Sequence, residues 1–467
     1  MSNNIKSRYS RRKFLQMSGT GLAAAGIGSA IQGCAAPPAS PTAAPVAAPT
    51  AAVPTGMTLK MSWWGEQEAP GLEGWLKASI EKYKLQSGNT VETTLQDTSV
   101  VISEFQTASA AKSPPDIQYF WNGIYHMESV WLDYVEPLNG LIPDELLKAS
   151  NATPLSIYKG KQYRLGWYSV PLLWIYNLDM FDKAGLNADS PPKTWSALLE
   201  ACEQLKSKGF LPMTGGLKDG PWGEWYMGHG LGQNLDTPAD ALNLFAGSSD
   251  WREPKHWEHW GKLEELWKNG YINNDMNSID LYPGIDLFGA GKGAMTQIVG
   301  PLVPAQQKAL GGQKVGAMVF PVFGKGKMAG KPIADTQGLG ISSQSKHKDV
   351  AADFLKFLHS DERVTAMWDS VKQFPTDSTW DGSVIADTTL KQIWQDWMHG
   401  DNVPYISNLM PTLFWTDAMF VNSQKIISGE MTGEQAGTNA HEVAQKWREQ
   451  NPDFVEKYAT WAKDLKL

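Results

Sequence analysis

From Met57 onward, short runs of β-formers alternate with amphipathic helical segments, and this alternation limits the fold more than any other feature of the chain. "MTLKMSWW" reads as a strand. "GLEGWLKASIEKYKLQSG" carries apolar residues at helical spacing and stops at Gly88. "NTVETTLQ" is a second strand, "TSVVISEFQTASAAK" a helix capped by Thr98 or Ser99, and "PPDIQYFW" a third strand opened by prolines. Strands alternating with helices predict a mostly parallel sheet covered on both faces. Further on, Lys159-Gly160 marks a hairpin turn and "PLLWIYN" a long buried strand. "TWSALLEACEQLKSKG" is an amphipathic helix with Thr194 as cap, and "FLPMTGG" is a short strand. Helices are expected near 254–269 and 281–290, strands at "GAMTQIV" and "VGAMVFP", and an almost wholly helical last hundred residues.

The N-terminus belongs to a different class of segment. Arg11 and Arg12 precede Phe14 and Leu15, a weakly apolar Gly/Ala-rich run follows, and "IQGC" ends at Cys34. This pattern resembles a twin-arginine export signal over residues 1–33 with a bacterial lipobox, and makes Cys34 the lipidation site. Gln32 stands where the lipobox commonly has a small residue. Residues 34–56 are Pro- and Ala-rich, so they read as a semi-stiff tether that reaches at most about 70 Å at ~3.1 Å per residue. Removing residues 1–33, with five basic residues and no acid, takes the net charge from −8 to −13. An acidic chain without a basic run is a poor nucleic-acid binder. Cys202 is the one cysteine besides Cys34 and is read as a small core residue, so no disulfide framework is expected.

The 21 tryptophans all lie after residue 62. "GPWGEWYMGHG" (220–230) sets Trp222, Trp225 and Tyr226 among glycines, which reads as a loop offering rings to something outside, with Trp222 the more inward of the two indoles. Ligands of open α/β sheets sit beyond the carboxyl ends of strands. The loops expected there carry Trp63, Trp64, Glu66 and Gln67, then Trp121 and Asn122, then Trp222, Glu224 and Trp225. Trp415 opens a late helix, and Tyr168 precedes an expected crossing between lobes. Aromatic faces beside carboxylate and amide tips suit a sugar, whose C–H faces stack while its hydroxyls hydrogen-bond. Asp116 is expected to be a structural turn acceptor.

The order and spacing of several stretches resemble the extracellular sugar-binding proteins of ABC importers, the group that includes maltose-binding protein. Its carriers are "WWGEQEAPGL", "SPPDIQYFW", "WIYNLDMFDKAGL", "PPKTWSALLEACEQLKSKG", "GKGAMTQIVGP", "GLGISSQSKHKDVAADFLKFLHS" and "NLMPTLFWTDAM". The resemblance implies an α/β two-lobe periplasmic-binding-protein fold (type II) with a ligand cleft between the lobes. One lobe is expected to take 57–169 and 326–380, the other 170–325 and 381–467. It places Glu66, Gln67, Trp121, Glu224, Trp225 and Trp415 at or beside sugar contacts, with Leu302 where the family often has an aromatic. A small sugar ligand, a permease, a membrane reached through the lipid anchor, a monomeric state and no cofactor follow from it. A receptor for a polyol phosphate and a glycan-processing lipoprotein are the competing readings.

Catalytic motifs are weak. His256 and His259 in "HWEHW" are not H-E-x-x-H and are expected on an exposed helix face. "NNDMNSID" lacks the glycine of a calcium loop, "GAGKGAM" lacks the Ser/Thr of a phosphate loop, and no G-x-S-x-G elbow occurs. If the export reading holds, the mature N-terminus is Cys34, and Cys34→Ala leaves the precursor uncleaved or frees the protein from the lipid fraction. N-terminal mapping of the mature wild type decides this, and a start far from Cys34 refutes it.

Overall fold

The computed structural model describes residues 53–149 and 153–465, so the signal segment, Cys34 and the tether as far as residue 52 lie outside the described residues. In chain order the strands are β1 (Thr58–Trp63), β2 (Thr90–Leu95), β3 (Ile117–Phe120), β4 (Ile157–Tyr158), β5 (Lys161–Gln162) and β6 (Leu165–Ser169). They continue with β7 (Leu172–Asn177), β8 (Met295–Val299), β9 (Val315–Met318), β10 (Ile333–Ala334), β11 (Thr336–Ile341) and β12 (Val403–Pro404). One sheet has the order β2-β1-β3-β11-β6. A second has the order β12-β10-β7-β8, with β9 also on β7.

Only part of each sheet is parallel. β1 runs parallel to β2 and β3, each reached through a helix, as expected. β11 is antiparallel to β3 and β6, and β7 is antiparallel to β8, β9 and β10. The reason is connectivity. β6 leads to β7, and β10 to β11, through crossings too short to hold a helix, so each strand's direction is set by the sheet it has just left. Asp335 alone separates β10 from β11. A third passage runs through Phe374, whose carbonyl accepts the Ser169 N–H at 2.8 Å.

Local signals account for most elements. The helix Leu72–Ser87 ends on Gly88 at φ 75°, a left-handed position that glycine takes without Cβ strain. The Thr194 hydroxyl accepts the Ala197 N–H and caps the helix Trp195–Ser207. Lys159 and Gly160, both at positive φ, turn β4 into β5. Asp116 accepts the Lys60 N–H at 2.9 Å and the Ser345 hydroxyl at 2.6 Å, a structural role. Cys202 is buried in its helix, and burial pushes its thiol pKa up.

Four further expectations fail. Helix Val101–Ala110 starts without a Thr98 or Ser99 cap, because Asp97 accepts the Ser99 N–H instead and Thr98 is engaged elsewhere. Residues 210–216 form no strand, and Met213 makes only isolated bridges to Ile272 and Met295. His256 and His259 are buried rather than exposed, turned inward on the helix Pro254–Lys268 with Trp260. The glycine-rich stretch is a helix, Pro221–Leu231, with Pro221 in its first turn and Gly220 at φ 96° before it. Its glycines are notches for close packing. A Cβ on Gly223 would meet the Ser423 hydroxyl at 2.5 Å, one on Gly228 the Tyr405 ring at 2.1 Å, and one on Gly230 the His259 side chain at 2.4 Å.

Gly228→Ala therefore sets two effects against each other. Alanine gains about 1 kcal/mol of helix propensity, while overpacking costs ~1–3 kcal/mol. With a ring carbon at 2.1 Å the packing term wins. The variant is expected to unfold at lower urea concentration than wild type, and a stabilised Gly228→Ala would show that the ring moves aside freely.

Candidate functional site

The carboxyl ends of β1 and β3 put their loops side by side. Trp63 is core, edge-on to Trp167 with centroids 6.0 Å apart. Trp64 points the other way, since successive strand residues alternate. Its Nε1–H donates to Thr98 Oγ1 at 2.8 Å and its ring meets Trp121 at 5.2 Å. Trp121 in turn meets Tyr125 at 5.3 Å, and Tyr125 meets Trp415 edge-to-face at 4.8 Å and 89°. Trp415 starts a π-helical stretch, Trp415–Phe420, in the part of the chain that follows β12. Such irregular turns recur at functional sites. A continuous aromatic run thus passes from the loops of the first sheet to the helices beside the second. Trp64 is 5% exposed, while Trp121, Trp225 and Trp415 are half-buried.

Beneath these rings lies a buried polar cluster. Glu68 accepts from the Tyr168 hydroxyl at 3.0 Å and from Gln337 Nε2 at 2.9 Å. Burial pushes its pKa up to about 7, against the lowering effect of those two hydrogen bonds, and the charge of Asp335 adds to the rise. Tyr168 is fully buried, and burial followed by the Glu68 charge raises its hydroxyl pKa well above the usual value. Asn122 donates to Asp335 at 2.9 Å. Glu224 is buried, accepts from the Tyr405 hydroxyl, and has its pKa driven well above the ordinary carboxylate range by burial and then by Asp335. Arg164, also buried, donates to the Phe120 and Thr336 carbonyls and to the Thr336 hydroxyl, so its guanidinium already serves the first sheet. Tyr282, from the helix Leu281–Gly289, has its hydroxyl pKa raised by burial and then by the charge of Glu68.

The residues singled out from sequence fall into three groups. Trp64, Trp121 and Trp415 join one aromatic run, with Trp225 half-buried on the glycine-notched helix. Asn122, Tyr168 and Glu224 belong to the polar floor. The rest are placed differently. Glu66 accepts the Gly71 and Glu73 N–H groups at 2.7 and 2.6 Å, so its carboxylate caps the helix Leu72–Ser87. Gln67 is exposed. Trp222 is 1% exposed, stacked on Tyr226 at 5.4 Å inside the second lobe. Leu302 is buried in the turn after β8. Sequence reasoning missed Glu68, Asp335, Tyr125, Tyr282 and Tyr405. The acid pair in "GEQE" was visible, but which carboxylate turns inward depends on Gly65 at φ 137°, where a Cβ would lie 2.5 Å from the Tyr168 hydroxyl. Among the described residues no His, Cys, Asp and Glu group is arranged to hold a metal, and no helix is long and apolar enough to cross a membrane.

Residues 69–364 match the family described as bacterial extracellular solute-binding protein, and the chain belongs to that family. Its members bind small molecules outside the cytoplasm and work with ABC permeases. The fold is that of a chitin oligosaccharide binding protein (TM-score 0.72, 21% identity, 83% of this chain and 98% of that one). It is also that of the maltose/maltodextrin-binding domain MalE from Bdellovibrio bacteriovorus bound to maltotriose (TM-score 0.65, 19% identity, 84% and 100%). By sequence the chain is similar to the sn-glycerol-3-phosphate-binding periplasmic protein of Rhizobium meliloti (strain 1021), 33% identical over 106 residues, 22% of this chain and 24% of that protein. The corresponding Salmonella paratyphi A protein is 31% identical over 198 residues, 41% of this chain and 42% of that protein. The matched stretches span less than half the length of these relatives.

The buried carboxylates make stability depend on pH. Glu68 has a folded pKa raised to about 7 from an ordinary 4.5, so its contribution is fully present below 4.5 and is lost as pH rises through 7. A shift of that size amounts to about 3 kcal/mol. Glu68→Gln is expected to flatten the fall in unfolding free energy between pH 5 and 7.5, as measured by urea titration at each pH. An unchanged slope would mean that Glu68 is not the group that titrates.

Proposed function

We propose that this chain is the substrate-binding lipoprotein of an ABC importer, and that it captures a neutral mono- or oligosaccharide between two lobes and delivers it to the permease. The aromatic run Trp64–Trp121–Tyr125–Trp415, lying over a floor of carboxylate and amide groups, carries this reading. Rings cover the C–H faces of a sugar and the polar tips accept or donate to its hydroxyls. In this reading Trp121, Trp225 and Trp415 stack, with Trp64 behind Trp121. Asn122, Tyr168, Glu68 and Glu224 address hydroxyls. Glu66 and Gln67 form a rim, and Trp222 supports its helix from within. One lobe is built on each sheet, and the crossings at 169–172, Asp335 and Phe374 form the hinge. The ligand favours the closed arrangement because only there is it touched from both sides. Cys34 anchors the chain to the outer face of the membrane, and the protein acts as a monomer without a cofactor.

The similarity to glycerol-phosphate-binding proteins favours a second reading, a polyol phosphate. Glu68, Asp335 and Glu224 weigh against it, because a phosphate entering among them would push their already raised pKa values further up, and Arg164 is engaged with backbone carbonyls.

Titration of pure protein with maltotriose, chitin oligosaccharides and glycerol 3-phosphate, read by tryptophan fluorescence, tests both. A saccharide is expected to change the emission and to be recovered intact. Hydrolysed product, or a response to glycerol 3-phosphate alone, overturns the reading. Trp225→Ala is expected to weaken binding of the responding saccharide by at least about tenfold, since truncating a central stacked aromatic costs ~2 kcal/mol or more. Trp222→Ala should affect the melting temperature more than the affinity. A sharply lowered melting point with intact affinity for Trp225→Ala would place that ring in the core.

A further inference from the structure

We propose that Asp335 is a positioning residue that clasps the two lobes together over the ligand site. It is the single residue between β10 of the second sheet and β11 of the first, and it is 6% exposed. Its two carboxylate oxygens are taken by different lobes. Oδ1 accepts Nδ2–H of Asn122, at the end of β3, at 2.9 Å, and Oδ2 accepts Nδ2–H of Asn408, in the turn Ile406–Leu409 after β12, at 2.7 Å. The orientation of Asn122 is fixed, because its Oδ1 accepts the Gly123 N–H at 2.9 Å and so leaves the amide nitrogen for Asp335. The lobes touch at the same place. Gly123 sits at φ 70° against Asn408, where a Cβ would lie 2.1 Å from the Asn408 carbonyl oxygen. The Asp335 carbonyl accepts the Val170 N–H at 2.7 Å, which ties this crossing to the one between β6 and β7.

The groups facing Asp335 are Arg164, Glu68 and Tyr119 from the first lobe and Glu224 from the second. Burial dominates and raises its pKa to about 6, with Arg164 and the two amides opposing.

The clasp rests on the two-lobe reading of function, but its test needs no sugar, so failure to bind any saccharide leaves the outcome untouched. Small-angle X-ray scattering of the unliganded full chain reports the open and closed populations. Asp335→Asn keeps one acceptor and loses the other. It is expected to move the open-to-closed ratio toward open by about tenfold, the effect of losing one hydrogen bond to a charged group. Asn408→Ala should open the molecule to a similar extent, and the double variant should be no more open than either single one. If Asp335→Asn does not fold, Asn408→Ala decides alone. Variants that scatter as wild type, or that melt early while keeping the wild-type radius of gyration, overturn the proposal.

Discussion

Three short passages of backbone carry the chain between its two sheets, and the position of every site residue depends on them. At Ser169–Leu172 the first sheet's edge strand β6 becomes the second sheet's central strand β7 within a few residues. At Asp335 the return takes a single residue. The Val170 N–H to Asp335 carbonyl bond and the Ser169 N–H to Phe374 carbonyl bond lock the three passages side by side. A crossing this short leaves buried polar backbone and side chains with few partners, and unpaired polar groups there would cost the fold dearly. The result is a polar floor in which Glu68 takes hydrogen bonds from Tyr168 and Gln337, and Asp335 takes them from Asn122 and Asn408.

Much of this was legible in the sequence wherever the signal is local. The Gly88 stop, the Thr194 cap and the Lys159-Gly160 turn each follow from the conformational preference of one or two residues, and all three are present. The α/β class followed from the order of elements and the two-lobe form from the family resemblance, while the aromatic members Trp64, Trp121 and Trp415 followed from their place after strands or at a helix start. What was not legible is nonlocal. Glu66 and Glu68 are two residues apart in the same loop, yet one caps a helix and the other enters the floor. The choice depends on Tyr168 and Gln337, which lie 100 and 269 residues away. Asp335 has no motif around it, and its partners Asn122 and Asn408 lie far from it in sequence.

The glycines of Pro221–Leu231 make the same point about composition. Glycine lowers helix propensity, and read locally the stretch is a flexible platform. In the fold the missing side chains let Ser423, Tyr405 and His259 approach the helix axis. Tertiary packing overrides the local preference, because each added Cβ would displace a buried neighbour. Close approach at Gly228 also lets the Tyr405 hydroxyl reach Glu224, so a packing device and a polar contact share one residue.

Electrostatics connect these features to ligand chemistry. Glu68 lies in the loop after β1, Asp335 between β10 and β11, and Glu224 on the helix Pro221–Leu231, and burial raises the pKa of each. Carboxylates brought together out of water either take up protons or accept hydrogen bonds from something that enters between them. A polyhydroxylated ligand supplies such donors without adding negative charge, whereas a phosphate adds it. Arg164, the guanidinium nearest the floor, is engaged with Phe120 and Thr336 and so is poorly placed to offset an anion. Carboxyl groups crowded between the two sheets would thus disfavour an anionic solute and leave a hydroxyl donor as the better partner.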